Sequence, residues 1–285
     1  MHNSGAKLSF IGAGNVTEMI LSNLSRKGVF SDSKDIMVSD SNHDRCEWMA
    51  SNFKVKIAAE NRTAFEYADI VFICVRPPVI PELISELSKC EKRSATVVTI
   101  AGGVSISEIE KIGFDIPIIR TLPNPPSRVG YGILPIACNG NVTPEIKHKV
   151  VKILENLGHC IDMNEDEINI VTSLSSSAPV FAFIENMVEA GVLCGLSREK
   201  AALIAGHTVA GCMKMREADS ASTFGEMTSE ACTPGGISAE ILMTLDKYAW
   251  RAAIKDAYRT GAEKAAKTKT HPGVTTTAPN PSLRC

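Results

Sequence analysis

The sequence predicts two domains, an α/β domain followed by an all-helical domain. The chain has 285 residues, whereas single domains typically run to about 100–200 residues, so two domains are expected. Up to about residue 163, short β-rich runs alternate with helical patterns, as is typical of α/β folds. After about residue 165 the apolar residues recur only at helical spacing. We expect domains at 1–163 and 164–267, and a disordered tail at 268–285 that is rich in Thr and Pro.

Seven apolar runs in the first domain are candidates for β-strands. Two of them are unbroken instead of alternating, which indicates strands buried on both faces of a parallel sheet. A helical stretch at 144–157 separates the last two candidates. The predicted strands span 8–11, 36–38, 70–75, 96–100, 116–119, 133–137 and 160–163.

The composition disfavours several classes of partner. The formal net charge is -2, so the chain has no field strong enough to recruit nucleic acid or an anionic membrane surface. The uncharged run at 168–184 contains serines and a proline, and it is not expected to span a bilayer. We therefore expect neither a nucleic-acid partner nor a membrane partner.

The cysteines, the histidines and the N-terminus indicate a reducing compartment without metal chemistry. The nine cysteines are widely spaced and never form CxxC, which disfavours both a disulfide framework and a zinc site. The six histidines show no metal-ligand spacing. The chain enters its first strand without the pattern of a signal peptide. We expect a cytoplasmic protein that binds no metal.

The segment from Gly12 to Thr17 follows the first strand and opens a helix. Gly12 permits a tight turn, Gly14 lets a pyrophosphate approach the backbone, and the helix N-terminus supplies free N–H groups. The third small position of the dinucleotide fingerprint is Thr17 instead of glycine or alanine. The place of the segment at the first strand-to-helix junction favours dinucleotide binding over a plain glycine turn.

Asp40 ends the second predicted strand, about 23 residues after the fingerprint. A carboxylate at this place accepts hydrogen bonds from the ribose 2′-OH and repels a 2′-phosphate. Asp40 therefore favours NADH over NADPH. An ordinary turn aspartate is the alternative, and the nearby Arg45 could still meet a phosphate.

Two loops follow predicted strands at the edge where open α/β sheets bind ligands. One contains Val75, Arg76 and Pro77, and the other begins at Ala101 and continues with two glycines. The glycine pair would admit a nicotinamide ring against bare backbone, whereas the alternative is a loop that only needs unusual dihedral angles.

A third loop, at 233–238, lies between helical stretches of the second domain. Pro234 stops a helix, two glycines expose consecutive N–H groups, and Ser238 is the predicted N-cap of the next helix. Such a loop can hold a small carboxylate with backbone and hydroxyl donors alone, whereas a plain helix–helix turn is the alternative.

Taken together, these motifs resemble the pyrroline-5-carboxylate reductase family in order and spacing along the whole chain except the tail. The family reduces the cyclic imine 1-pyrroline-5-carboxylate to L-proline with NADH or NADPH, the last step of proline biosynthesis. The resemblance implies an α/β Rossmann-type N-terminal domain followed by an all-α C-terminal dimerisation domain, in a homodimer or a ring of dimers. The matching stretches are 11–16, 75–77, 101–106, 120–126, 174–179 and 233–238.

The resemblance also implies roles for individual residues. The residues implied for the pyrophosphate are Gly12, Ala13, Gly14, Asn15 and Val16, and those for the adenosine ribose are Asp40, Asn42 and Asn61. The residues implied for the nicotinamide side are Val75, Arg76, Pro77, Ala101 and Glu165. The residues implied for the substrate are Glu230, Gly236, Ile237 and Ser238.

Ser238 is the predicted catalytic residue. Reduction of a C=N bond needs a hydride at carbon and positive charge on nitrogen, and a cyclic imine can enter already protonated, so no strong general acid is required. Positioning then carries the catalysis, with Ser238 orienting or donating to the ring nitrogen.

The chain departs from the family pattern around the expected substrate pocket. Ser176 replaces a usual glycine, Phe181 replaces a usual tyrosine, and Ile237 replaces a usual threonine. Glu230 stands where an asparagine is usual, and an unpaired carboxylate there would repel an anionic substrate. The alternatives are an imine reductase acting on a different cyclic imine carboxylate, or a catalytically weak cofactor-binding regulator.

Overall fold

The computed structural model describes residues 6–29, 35–91, 94–113 and 115–268. The predicted tail, apart from its first residue, lies outside the described residues. Two compact units are present: the described residues of Met1–Ser175 and Gly261–Cys285 form the first, and Ser176–Thr260 form the second. The first unit thus continues beyond the expected boundary at residue 163.

The first unit is built on an eight-stranded sheet with the order β3-β2-β1-β4-β5-β6-β7-β8. All neighbouring strands are parallel except β6 and β7, which are antiparallel. The strands are β1 (Leu8–Ile11), β2 (Ile36–Ser39), β3 (Lys56–Ile57), β4 (Ile70–Ile73), β5 (Thr96–Thr99), β6 (Ile118–Arg120), β7 (Gly132–Cys138) and β8 (Gly158–Asp162). The chain reverses its direction of winding at β1, which lies between β2 and β4, and ligands bind at such switch points in open sheets.

Helices connect the strands of this sheet. Apolar side chains from the sheet and the helices form two large buried clusters, so β1, β2, β4 and β5 are buried along their whole length. The helices are α1 (Asn15–Arg26), α2 (His43–Phe53), α3 (Asn61–Tyr67), α4 (Ile80–Leu87), α5 (Ile106–Ile109), α6 (Pro144–Leu154) and α7 (Glu167–Leu174).

The predicted strands are all present, and the structure adds one. Strand β3 was missed because it has only two residues, both exposed, and therefore no apolar run in the sequence. The predicted α/β class and its parallel sheet are confirmed.

The second unit is helical, as predicted, but a single chain gives it little core. The buried apolar residues of its own cluster are Val188, Ala201 and Ala205, with Ile184 and Met187 packed against them. The helices are α8 (Ser177–Leu193), α9 (Arg198–Ala218), α10 (Phe224–Glu230), α11 (Ile237–Lys247) and α12 (Trp250–Thr268), of which α12 continues into the first unit from Gly261 onwards. Large apolar side chains on α8 and α9, among them Phe181, Leu193 and Leu203, stay exposed in the single chain.

One helical segment among the described residues, Glu167–Leu193, is long and apolar enough to cross a membrane by length and composition alone. The sequence predicted no span here because of its serines and proline. The segment is not one continuous helix, since α7 ends at Leu174 and α8 begins at Ser177. Only 11% of its most apolar window is buried within the chain.

Candidate active site

The turn after β1 requires glycine at its first position. Gly12 has φ +104°, and a Cβ there would lie 2.8 Å from the carbonyl carbon and oxygen of Cys74. Its N–H donates to the carbonyl of Ser39 at 2.7 Å, which ties the turn to the end of β2. A side chain would therefore meet rigid backbone at a conformation that L residues rarely adopt.

Gly14 serves a different purpose from Gly12. It is the N-cap of α1 with extended backbone, and no atom lies within 4 Å of the place that a Cβ would take. The space next to the free N–H groups of α1 is therefore open, which suits a pyrophosphate that approaches the backbone. The described loop fits the dinucleotide that the sequence predicts.

Thr17 takes the third position of the fingerprint without leaving a gap. The residue is fully buried, and its hydroxyl donates to the carbonyl of Gly12. Glycine could not make this bond. The departure from the fingerprint therefore adds a link across the turn and does not argue against a bound dinucleotide.

A cavity of about 520 Å³ lies at this edge of the sheet. Most of the predicted cofactor residues line it, and the cavity also includes three residues that were not predicted. The lining residues are Gly12, Gly14, Asn15, Val16, Asp40, Ser41, Asn61, Cys74, Val75, Arg76 and Val79. The predicted cofactor residues outside the lining are Ala13, Asn42, Pro77, Ala101 and Glu165.

Asp40 and Arg45 hold Ala13 from both sides. The Asp40 Oδ2 atom accepts from the N–H of Ala13 at 2.7 Å, and Arg45 Nε donates to the Ala13 carbonyl at 2.8 Å. Asp40 Oδ1 also accepts from the N–H of Asn42 at 2.9 Å. Asp40 thus lines the cavity and positions the glycine loop at the same time.

Asn61 is held by a short polar chain. Ser39 Oγ donates to its Oδ1 atom at 3.0 Å, and its Nδ2 atom donates to Glu86 at 2.9 Å. These bonds fix the amide at the wall of the cavity. Asn42, by contrast, uses its side-chain oxygen to cap α2, where it accepts from the N–H of Arg45 at 3.2 Å.

The loop at 233–238 lies in the second unit and forms a tight turn before α11. Gly235 has φ +72°, and a Cβ on Gly236 would lie 2.3 Å from Thr233 Oγ1. The prediction of Ser238 as N-cap is wrong, because Gly236 occupies that place and Ser238 is the second residue of the helix. The first N–H groups of α11 have no partner within the helix, so they are available to a carboxylate.

Models of known families cover both parts of the chain. The model described as pyrroline-5-carboxylate reductase dimerisation matches residues 165–268, and the model described as NADP oxidoreductase, coenzyme F420-dependent, matches residues 7–103. The pyrroline-5-carboxylate reductase of Escherichia coli is 32% identical over 264 residues, which cover 92% of this chain and 97% of that enzyme. The chain belongs to the pyrroline-5-carboxylate reductase family.

Solved structures agree with this assignment. A pyrroline-5-carboxylate reductase from Coxiella burnetii has a TM-score of 0.85 and 26% identity, and the match covers 93% of this chain and 99% of that one. The fold is also shared with a Plasmodium falciparum pyrroline carboxylate reductase solved with NADP bound, at a TM-score of 0.79 and 24% identity over 95% of this chain and all of that one. The predicted family, its fold and its class, an NAD(P)-dependent oxidoreductase acting on CH–NH bonds, are confirmed.

Glu165 of this reductase is bound to protein groups. Its Oε1 atom accepts from Arg120 Nη1 and from the N–H of Ile106, both at 2.7 Å. Arg120 is 1% exposed and lies on β6, so the ion pair neutralises a buried guanidinium. Glu165 therefore joins β6 to the start of α5.

Ala101 and Pro77 lie close to the cavity in the chain but outside its lining. Ala101 is buried directly after β5, and its N–H donates to Thr99 Oγ1 at 3.4 Å. Pro77 begins a 3-10 turn, Pro77–Val79, whose last residue does line the cavity. Both residues therefore shape the backbone around the site.

Cys74 is the lining residue whose chemistry the sequence analysis did not consider. Burial raises the pKa of its thiol to about 12, against a smaller opposing effect of a hydrogen bond with Thr17. The thiol is therefore protonated at neutral pH and acts as a packing group at the cavity wall. None of the described cysteines of the reductase forms a disulfide.

Proposed function

We propose that this chain reduces the cyclic imine 1-pyrroline-5-carboxylate to L-proline with NAD(P)H, the last step of proline biosynthesis. The observation that carries the proposal is the match to the Escherichia coli enzyme over 92% of this chain and 97% of that enzyme. The open backbone at Gly14 and the cavity beside it give the cofactor a place that fits its pyrophosphate.

The residues of the first unit position the cofactor. The N–H groups at the start of α1 bind the pyrophosphate, and Asp40 accepts hydrogen bonds from the adenosine ribose. Val75 and Arg76 line the continuation of the cavity towards the nicotinamide. When bound, the reduced nicotinamide supplies the hydride for the imine carbon.

The residues of the second unit bind the substrate. The free N–H groups at the start of α11, from Ile237 onwards, hold its carboxylate next to Gly236, and the hydroxyl of Ser238 orients the ring nitrogen or donates to it. Ser238 is exposed in the single chain, so its hydroxyl is free to meet a ligand. No strong general acid is needed because the imine enters protonated.

We propose NADH as the preferred cofactor. The support is Asp40, a fixed carboxylate at the cavity wall that accepts from ribose hydroxyls and repels a 2′-phosphate. Titration of NADH and NADPH should show tighter binding of NADH. Asp40→Ser should reduce the difference between the two affinities. Tighter binding of NADPH to the wild-type chain would contradict this reading of Asp40.

The helices of the second unit support assembly into a homodimer or a ring of dimers. Large apolar side chains on α8, α9 and α11 are exposed in the single chain, and burial against a second copy would remove them from water. The examples with the greatest exposure are Phe181, Leu193, Leu203, Met215 and Ile237. Light scattering after gel filtration tests the oligomeric state, and a monomer at micromolar concentration would contradict the proposal.

We also place the enzyme in the cytoplasm, a reducing compartment where thiols outside disulfides persist.

A reductase acting on a different cyclic imine carboxylate is the second candidate. It is favoured by Glu230, an exposed carboxylate at the end of α10 in place of the usual asparagine. An NADH oxidation assay with pyrroline, piperideine and thiazoline carboxylates decides between the two. The highest kcat/KM on the pyrroline supports the proposal, and the highest value on a larger or sulfur-containing ring supports the alternative. Cofactor binding without turnover on any ring would indicate a regulator.

A further inference from the structure

Arg45 is the cation next to the expected ribose site. It shares Ala13 with Asp40, since Asp40 accepts from the N–H of that residue and Arg45 donates to its carbonyl. In dinucleotide-binding folds an arginine near this place accommodates the 2′-phosphate of NADPH. Arg45 is therefore placed where it could offset the repulsion that Asp40 exerts on that phosphate.

The guanidinium of Arg45 is already engaged by another side chain. Its Nη2 atom donates to the Oε2 atom of Glu18, which lies in the first turn of α1. Its face lies over the ring of Trp48, with 4.4 Å between the guanidinium carbon and the ring centroid. The side chains of Arg45 and Glu18 are 26% and 38% exposed, and neither residue lines the cofactor cavity, so Arg45 meets that cavity through its bond to Ala13 next to Asp40.

We infer that Glu18 is a specificity-determining residue that disfavours NADPH by holding and neutralising Arg45. The inference rests on the proposed function and deepens its preference for NADH. Glu18 itself does not line the cofactor cavity and acts through Arg45. Glu18 thus disfavours NADPH by repulsion. Specific sites combine such repulsion of the wrong ligand with attractive contacts to the right one.

The charges explain the direction of the effect. Asp40, Glu18 and Arg45 together carry a net charge of about -1, which repels a 2′-phosphate but leaves a neutral ribose hydroxyl unaffected. Removal of the Glu18 charge brings the group to neutrality and leaves the guanidinium donors of Arg45 free for the phosphate. Discrimination between the cofactors should then fall.

The experiment measures binding of NADH and NADPH to the full chain by calorimetry, with 5′-AMP and 2′,5′-ADP as probes that differ in the 2′-phosphate. Glu18→Gln should tighten NADPH and 2′,5′-ADP on the order of tenfold and change NADH less than about twofold. The matched control is Glu47→Gln, which removes a charge whose partner is His43, one turn along α2. This control should leave the ratio of the two affinities unchanged.

A double variant shows whether the effect passes through Arg45. In an Arg45→Gln background, Glu18→Gln should no longer tighten NADPH, because the cation that it frees is absent. The inference would be overturned if Glu18→Gln left the ratio of NADH to NADPH affinity unchanged. It would also be overturned if Glu18→Gln increased NADPH affinity equally in the Arg45→Gln background. Neither result would contradict cofactor binding itself. Failure of the wild-type chain to bind either cofactor would instead contradict the proposed function and, with it, the inference.

Discussion

The carboxylate of Asp40 accepts a hydrogen bond from the N–H of Ala13 at 2.7 Å. Asp40, which is expected to accept hydrogen bonds from the ribose, therefore also supports the glycine loop. Its second oxygen accepts from Asn42, so the carboxylate is fixed before any ligand arrives. Preorganisation of this kind lowers the entropy lost on binding.

Asp40→Ala should weaken both cofactors. We expect a loss of roughly tenfold or more for NADH, which loses both the supported loop and its ribose contact, and a smaller loss for NADPH, because relief of the repulsion of its 2′-phosphate offsets part of the effect. Fluorescence titration of both nucleotides measures this. Asp44→Ala removes an exposed carboxylate from the first turn of α2 and serves as the control. An unchanged NADH affinity in Asp40→Ala would contradict both the ribose contact and the support of the loop through Ala13.

Gly12→Ala and Gly14→Ala should separate folding from cofactor binding. Gly12→Ala places a Cβ against the backbone of Cys74 at positive φ, so we expect the free energy of unfolding to fall by about 2 kcal/mol or more. Gly14→Ala meets open space, and stability should stay within about 0.5 kcal/mol while NADH binding weakens roughly a hundredfold. Urea unfolding and calorimetry measure the two quantities. Equal effects of both substitutions on stability would contradict these different roles, in which Gly12 is required by the turn and Gly14 by the approach of the cofactor.

The Arg120–Glu165 pair should be structural. Glu165→Ala leaves the buried guanidinium of Arg120 without its carboxylate, so we expect a loss of about 3 kcal/mol in the free energy of unfolding. The double variant Arg120→Met, Glu165→Leu should recover much of this loss, because it removes both charges. Urea unfolding of the three chains provides the measurement. If Glu165→Ala leaves the chain stable but weakens NADH binding, Glu165 acts in the cofactor site and not as a structural partner of Arg120.

Cys74 should resist alkylation in the native state. Its pKa of about 12 lies above the ordinary value of 9.0, so at pH 8 the thiolate is scarce. Iodoacetamide at pH 8 should modify the exposed Cys194 and leave Cys74 intact, and mass spectrometry reads both sites. Because the folded pKa is raised, the protonated thiol contributes stability that is complete below pH 9 and is lost as the pH rises towards 12. The fall in stability between pH 9 and 10.5 should therefore be smaller in Cys74→Ala. Rapid native labelling of Cys74 would contradict the raised pKa of this half-buried thiol.

Ser238→Ala should separate turnover from cofactor binding. We expect kcat to fall roughly a hundredfold while NADH affinity stays unchanged, since the hydroxyl meets the substrate and not the cofactor. Thr260→Ala is the control, because that hydroxyl donates to the carbonyl of Asp256 in its own helix at 3.0 Å. Unchanged steady-state rates in Ser238→Ala would remove Ser238 from the mechanism.

Much of the first unit could be predicted from local patterns. Unbroken apolar runs marked the buried strands, and the glycine at 12 marked a turn that only this residue can make. The turn before α11 was also recognisable, but the exact cap was not. Gly236 and Ser238 are both good N-cap residues, and the choice depended on the backbone of the turn at Thr233.

The sequence by itself determined the alternation of strands and helices, the glycine loop and the family of the chain, because these are recorded in neighbouring residues. The tertiary structure decided which distant charges meet. Arg120 finds Glu165 at a separation of 45 residues, and Arg45 finds Glu18 at a separation of 27. Such pairs depend on the order of the strands and the packing of helices on them, which no local periodicity specifies. For this reason the sequence did not indicate that Glu165 binds a buried arginine.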